Sequence, residues 1–199
     1  MLKKILLLVF VSLLFVEATK EKSTATKEPA LKLTKATKAK KVVQSELLYL
    51  TNNFVAFKEA LAFKESQGKY KVVNTLGYLG KYQFGKNTLK RFKIYNTTNF
   101  LNTPELQEKA FVALCKVNKW ILRREIKNSV NKVINGTLIT ESGILAAAHL
   151  SGAGNVKKYL RTSGTLKFKD AYGASIQYYM KKFAGYDVTN IIGNRKAKV

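Results

Sequence analysis

Residues 46–85 read ELLYLTNNFVAFKEALAFKESQGKYKVVNTLGYLGKYQFG, and a change of texture inside this stretch decides the fold. Leu47, Leu50, Phe54, Phe57 and Leu61 recur every three or four residues, the period of one helix face, with Ser45 as N-cap. The stripe predicts an amphipathic helix ending near Glu65, with Gly68 just beyond as the stop. From Tyr70 to Gly85 the period is lost. β-branched and aromatic residues are interspersed with Gly77, Gly80 and Gly85, which predicts a small hairpin or irregular loop.

Downstream, the helical period returns. Thr103 is placed to cap a helix whose first position is Pro104, with Glu105 and Glu108 in its first turn. Its stripe is Leu106, Ala110, Leu114 (or Ala113), Val117 and Ile121. Residues 144–150 (ILAAAHL) are apolar almost all round, the mark of a central buried helix; it starts at Thr140 and is stopped by Gly152 and Gly154. A short helix is expected over 155–161. A last one is expected over about 169–184, with Tyr172, Ile176, Tyr179 and Phe183 on one face. The fold class is therefore mainly α, with one minor β element in a domain over 46–199.

Upstream, Met1–Lys4 is cationic and 5–16 (ILLLVFVSLLFV) is an apolar run of 12 residues, followed by Glu17-Ala18. This predicts a signal peptide over 1–18 and an exported protein, periplasmic or secreted. The alternative is an uncleaved anchor, but the run is shorter than the roughly 20 residues a bilayer needs. No integral membrane segment is expected after cleavage. Residues 19–45, rich in Lys, Thr and Ala, predict a solvated tether with incidental affinity for polyanions.

Lys+Arg number 36 against 12 Asp+Glu, a net charge of +24, and 46% of residues are hydrophobic, enough for a packed core. A single Cys excludes an internal disulfide framework. A single His excludes a zinc protease and any serine triad that does not use His149. No metal, no other cofactor and no nucleic-acid partner is expected, and the protein is expected to be a monomer.

The domain offers nine acids. Glu46, Glu105, Glu108, Glu141 and Asp170 stand near predicted helix starts, where the macrodipole favours them. Glu59 and Glu125 read as solvated partners of nearby Lys or Arg. Glu65 breaks two rules at once: it continues the apolar stripe four residues beyond Leu61, and it places a carboxylate at a helix C-terminus. Both penalise the charged form, so an upward pKa shift and a role as general acid are expected. The tuning of a lysozyme glutamic acid by an apolar pocket is the established precedent. The bland alternative pairs Glu65 with Lys64 or Lys69 on the surface.

The run from Glu65-Ser66 through Asn74, Gly77 and Gly80 to Gln83 resembles the catalytic motif of the soluble lytic transglycosylase family, in the lysozyme-like superfamily. That motif opens with Glu-Ser, carries two glycines three apart and closes with Gln eighteen residues after the Glu, as here. Residues 148–156 (AHLSGAGNV) resemble the family's second motif, Ala-Tyr-Asn-Ala-Gly-x-Gly-x-Val. The resemblance implies a lysozyme-like helical domain with a small β-hairpin or loop lining the groove. It implies Glu65 as the catalytic acid and Ser66 as its helix-end neighbour. Asn74 takes the place of a Ser near the substrate acetamido group, and Gln83 lines the glycan groove. His149 stands where the family has the Tyr that contacts the catalytic carboxyl, and Leu150 where it has Asn. Tyr78 and Tyr82 are the candidate sugar-stacking aromatics.

The implied reaction is cleavage of the β-1,4 bond after N-acetylmuramic acid in peptidoglycan glycan strands, with Glu65 as acid and then base, giving a 1,6-anhydro product. Ordinary glycosidases need two carboxyl groups, and no second acid here breaks the helix-end rules as Glu65 does. The alternatives are a lysozyme-type hydrolase using Asp170 or Asp187, a non-catalytic peptidoglycan-binding module, a polyanion binder, and a secreted effector with the same chemistry.

Overall fold

The computed structural model describes residues 52–199. The expected signal peptide, the tether, Ser45 and the first stripe residues, Leu47 and Leu50, lie outside the described residues. Helix α1 spans Phe54–Ser66. Asn53 caps it, its side chain accepting the N–H of Ala56 at 3.0 Å. Because Asn52 and Asn53 are not helical, the expectation of one unbroken helix from Ser45 through Glu65 is corrected. The far end falls as expected. Gln67 turns into the left-handed region at φ 57°, and the N–H groups of Gln67 and Gly68 bond back to the carbonyls of Phe63 and Ala62.

Residues 70–85 form an irregular loop pinned by single bridges, Val73 to Leu79 and Leu79 to Phe84. Two short helices follow, α2 (Lys86–Arg91) and α3 (Thr97–Asn102). Helix α4 (Pro104–Ile121) begins with Pro104 as expected, although the Thr103 side chain makes no capping bond. Ala110, Ala113 and Val117 of the expected stripe are buried, while Leu106, Leu114 and Ile121 are only half-buried. The buried face is wider than expected, taking in Gln107, Phe111, Cys115 and Asn118 as well. The Phe111 ring stacks on Tyr82 at 4.1 Å between centroids and also meets Phe54 and Phe57.

Helix α5 (Arg123–Ser129) leads into a two-stranded antiparallel ladder, β1 (Val133–Ile134) and β2 (Thr137–Leu138), with Val133 opposite Leu138 and Ile134 opposite Thr137. Asn135 and Gly136 turn it at φ 48° and 71°, the backbone a two-residue hairpin of this hand requires. The regular strands thus stand at 133–138, not in the 70–85 region.

Helix α6 (Glu141–Arg161) is capped by Thr140, whose hydroxyl accepts the Gly143 N–H. Residues 142–148 are all buried, so the apolar segment is the central helix that its composition predicts. Gly152, at φ 76° and ψ 151°, breaks the helix into the two pieces expected on either side of it.

The last helix is shorter than expected: α7 spans Ile176–Lys182, capped by Ser175. Asp170 does not open it. Its carboxylate accepts the N–H groups of Tyr172 and Ala174, which closes a turn, and Lys169 bridges Ser175. Tyr172 therefore leaves the stripe and is exposed, while Ile176, Tyr179 and Phe183 are buried as expected. Helix α6 packs against α4, α5 and α7 around one core that includes Phe57, Leu61, Phe111 and Ile144. Among the described residues, no helix is long and apolar enough to cross a membrane.

Candidate active site

The end of α1, the 70–85 loop, the middle of α6 and the 170–172 turn meet at one small cleft of about 90 Å³. Five of the seven site residues expected from sequence line it: Glu65, Asn74, Tyr78, Gln83 and His149. Leu150 and Asp170 also line it. Larger hollows exist, one of about 440 Å³ beside Arg124 and Glu125 and one of about 800 Å³ beside α4. Neither holds any of the expected residues. The small cleft is the candidate site because chemistry converges there, not because of its size.

Glu65 is half-buried in the last turn of α1, and its Oε1 accepts the hydroxyl of Tyr179 at 2.7 Å. Tyr179 is only 2% exposed. Burial, then the charge and hydrogen bond of Glu65, push its own ionisation far above that of a free phenol, so it remains a donor at any working pH. With Oε1 engaged, Oε2 is the oxygen left to carry and deliver a proton. Sequence reading placed Tyr179 on the apolar face of the last helix and missed this role. Its partner lies 114 residues earlier, beyond the reach of local spacing.

His149 does not contact the carboxyl in the way the resemblance implies. Its Nε2 lies 2.7 Å from the carbonyl of Tyr82, and its ring meets Phe84 and Phe111 edge-on. A carbonyl only accepts, so Nε2 carries a proton. Nδ1 is buried without a hydrogen-bond partner. His149 joins α6 to the loop and forms part of the cleft wall.

The loop residues divide by atom. Asn74 Oδ1 accepts the N–H groups of Leu76 and Tyr78, both at 2.9 Å, so this oxygen shapes the turn and only the Nδ2 donor is free for a ligand. Gln83 stands at φ 50°, unusual for a residue with a side chain, and its Nε2 donates to the Gly80 carbonyl at 2.9 Å. That fold-back leaves Oε1 as its acceptor in the cleft. Tyr78 is exposed on the rim, 43% accessible, as a stacking residue requires.

Two expected site residues are corrected. Ser66 does not line the cleft; its hydroxyl donates to the Lys81 carbonyl at 2.7 Å and accepts the Lys69 N–H, stapling the helix end to the loop. Tyr82 is fully buried, stacked on Phe111 with its hydroxyl donating to Glu108 at 2.8 Å. A ring buried in this way has no surface to offer a sugar.

Glu108 is likewise not the bland first-turn acid it seemed. It sits behind the loop with Lys58, Lys81, Tyr70 and Tyr82 all donating to it. Burial raises its pKa, but these four donors outweigh that and hold it down to about 2. Lys81, 4% exposed, is bonded to Glu59, Glu108 and Tyr70, which hold its charge against burial. Gln107, wholly buried, completes the support: its Oε1 accepts the Lys81 N–H, and its Nε2 donates to the carbonyls of Tyr70 and Phe100. Gly80 stands at φ 73° directly against this amide, where a Cβ would collide with it. Glu125 is also buried, not solvated as expected, and takes both Nε and Nη2 of Arg161 on one oxygen. Glu141 pairs with Lys119 at 2.7 Å. Asp187 is tied to Thr189 and lies outside the cleft.

No protein-family model, no curated protein and no solved structure matches this chain.

Proposed function

We propose that this protein is a peptidoglycan lytic transglycosylase of lysozyme-like architecture, exported to the cell envelope and acting on the bond between N-acetylmuramic acid and N-acetylglucosamine. The observation that carries the reading is the meeting of Glu65, Asn74, Gln83 and His149 in one cleft. They come from three segments and were singled out by sequence alone. Glu65, with Tyr179 on Oε1, protonates the bridging glycosidic oxygen from Oε2. The C1–O bond breaks, and the 2-acetamido group of the same sugar supports the positive charge at C1. The Glu65 carboxylate then takes the proton of the C6 hydroxyl as its oxygen closes on C1, giving the 1,6-anhydro ring and restoring the acid. Asn74 Nδ2 and Gln83 Oε1 are the groups that hold the sugar's amide and hydroxyls, and Tyr78 supplies a flat face at the rim.

One observation favours a second reading. Asp170 shares the cleft with Glu65, as a hydrolase holding a water would need. Against it, one Asp170 oxygen is committed to two backbone N–H groups of its own turn.

The test of catalysis is the turbidity of purified cell-wall suspensions. Wild type is expected to clear them, and Glu65→Gln to lose at least about two orders of magnitude in rate while still sedimenting with the wall. Clearing by Glu65→Gln at the wild-type rate contradicts the proposal. Binding by both proteins with clearing by neither identifies a binding module.

A further inference from the structure

The hollow of about 800 Å³ beside α4 has a chemistry of its own. Three segments wall it, and each carries apolar contacts flanked by lysine. On α4, Lys109, Val112, Ala113 and Lys116 fall at i, i+3, i+4 and i+7, one face of the helix, with the two lysines about 10 Å apart along its axis. On α1, Phe54 lies one turn before Lys58. The C-terminal stretch contributes Lys196-Ala197-Lys198. It is held there by the Asn194 N–H on the Lys116 carbonyl, with Ala197 packed towards Ala113 and Val117.

The charges do not cancel locally. Glu108 is the one acidic side chain in the wall, and it is already bonded to Lys58, Lys81 and two tyrosines. Among the described residues, Lys109, Lys116, Lys196 and Lys198 make no ion pair with an acid. A groove with an apolar floor and four uncompensated cations on its edges fits a ligand that is apolar in its body and anionic at its head. A second copy of this chain does not fit, because it would bring the same excess of lysine.

We propose that this groove docks the protein on anionic bilayer lipid, with an acyl chain along Phe54, Val112 and Ala113 and the phosphate headgroup among Lys109, Lys116, Lys196 and Lys198. This is independent of the glycan chemistry, since none of these residues lines the Glu65 cleft. It gives the protein a second binding surface, separate from the cleft.

Vesicle co-flotation of the full chain tests it, with one part phosphatidylglycerol to two parts phosphatidylcholine against pure phosphatidylcholine. The double variant Lys109→Glu/Lys116→Glu is compared with Lys157→Glu/Lys158→Glu, which makes the same charge change on α6. Any contribution from residues 1–51 is common to both and cancels. The groove pair is expected to lower partition to the phosphatidylglycerol vesicles by about tenfold or more, and the control pair by much less. Val112→Asn, which leaves the charge unchanged, is expected to lower it several-fold. Equal losses from both charge pairs overturn the proposal in favour of unspecific attraction. A groove-pair loss with no effect of Val112→Asn also overturns it and identifies a soluble polyanion as the occupant. Circular dichroism melts of all three variants verify that each is folded.

Discussion

Glu65 was legible as a residue because it disobeyed its surroundings. A carboxylate on an apolar stripe at a helix C-terminus has no structural excuse, and the structure places it in a cleft with its Oε1 held by a buried tyrosine. Tyr179 was legible only as core. A phenol looks the same on a helical stripe whether its hydroxyl is idle or bonded, and the stripe says nothing of a partner on another helix. Tyr82 was misread for a related reason: a tyrosine in a glycine-bearing loop resembles a sugar platform, yet its ring is a core residue. The Tyr179–Glu65 bond yields a sharp expectation. A hydrogen bond to a charged group is worth about 1.5–3 kcal/mol, or roughly ten- to a hundredfold. Tyr179→Phe keeps the ring and its contacts with Tyr178 and Phe183 but leaves Oε1 without a donor. The clearing rate should fall by about that factor, with little change in melting temperature. An unchanged rate would mean that Tyr179 does not orient the acid.

At the scale of elements, the helices that sequence predicted best were those with both a period and a local stop signal. Pro104 opened α4, Thr140 opened α6, and Gly152 interrupted it. Boundaries failed where a side chain made a local bond that competes with the helix. Asn53 capped α1 so that it opened at Phe54, and Asp170 spent its carboxylate on a turn, so α7 began seven residues late. The hairpin at 133–138 carried its own signal, Asn135-Gly136 between two short apolar runs with β-branched residues. The loop bearing Gln83 owes its shape to partners that no local pattern reveals. Gln107 reaches it from α4, Ser66 from the end of α1 and His149 from α6. Of these, Gln107 is the buried amide whose loss strands the most backbone. Gln107→Leu, close in volume, leaves the Lys81 N–H and the Tyr70 carbonyl unpaired, while the Phe100 carbonyl keeps the Thr103 N–H. Each buried orphan costs about 1–3 kcal/mol, so urea denaturation should show a loss of about 2 kcal/mol or more. A loss below about 1 kcal/mol would show that water replaces the amide and that the loop does not depend on it.

For the whole molecule, the excess of cations is legible in composition, and among the described residues its consequence is that most of the few acids are engaged. Glu108 shows what this means for pH. Its folded pKa of about 2 lies below the ordinary 4.5, so the unfolded chain binds this proton more tightly. The stabilisation is complete above about pH 4.5 and is lost as the pH falls towards 2. Melting temperature against pH should therefore fall across that window in wild type and more shallowly in Glu108→Gln. Parallel curves would show that the Lys58–Glu108–Lys81 layer contributes nothing pH-dependent.

In the proposed reaction a single carboxyl group, Glu65, acts throughout, and the attacking oxygen comes from the sugar itself. Mass spectrometry of the fragments released from purified peptidoglycan reads this directly. Wild type is expected to release muropeptides ending in 1,6-anhydro-muramic acid, each one water lighter than its hydrolysed counterpart, and Glu65→Gln to release none. Fragments that carry only reducing ends, with release abolished equally by Asp170→Asn, would contradict it and establish a two-carboxylate hydrolase.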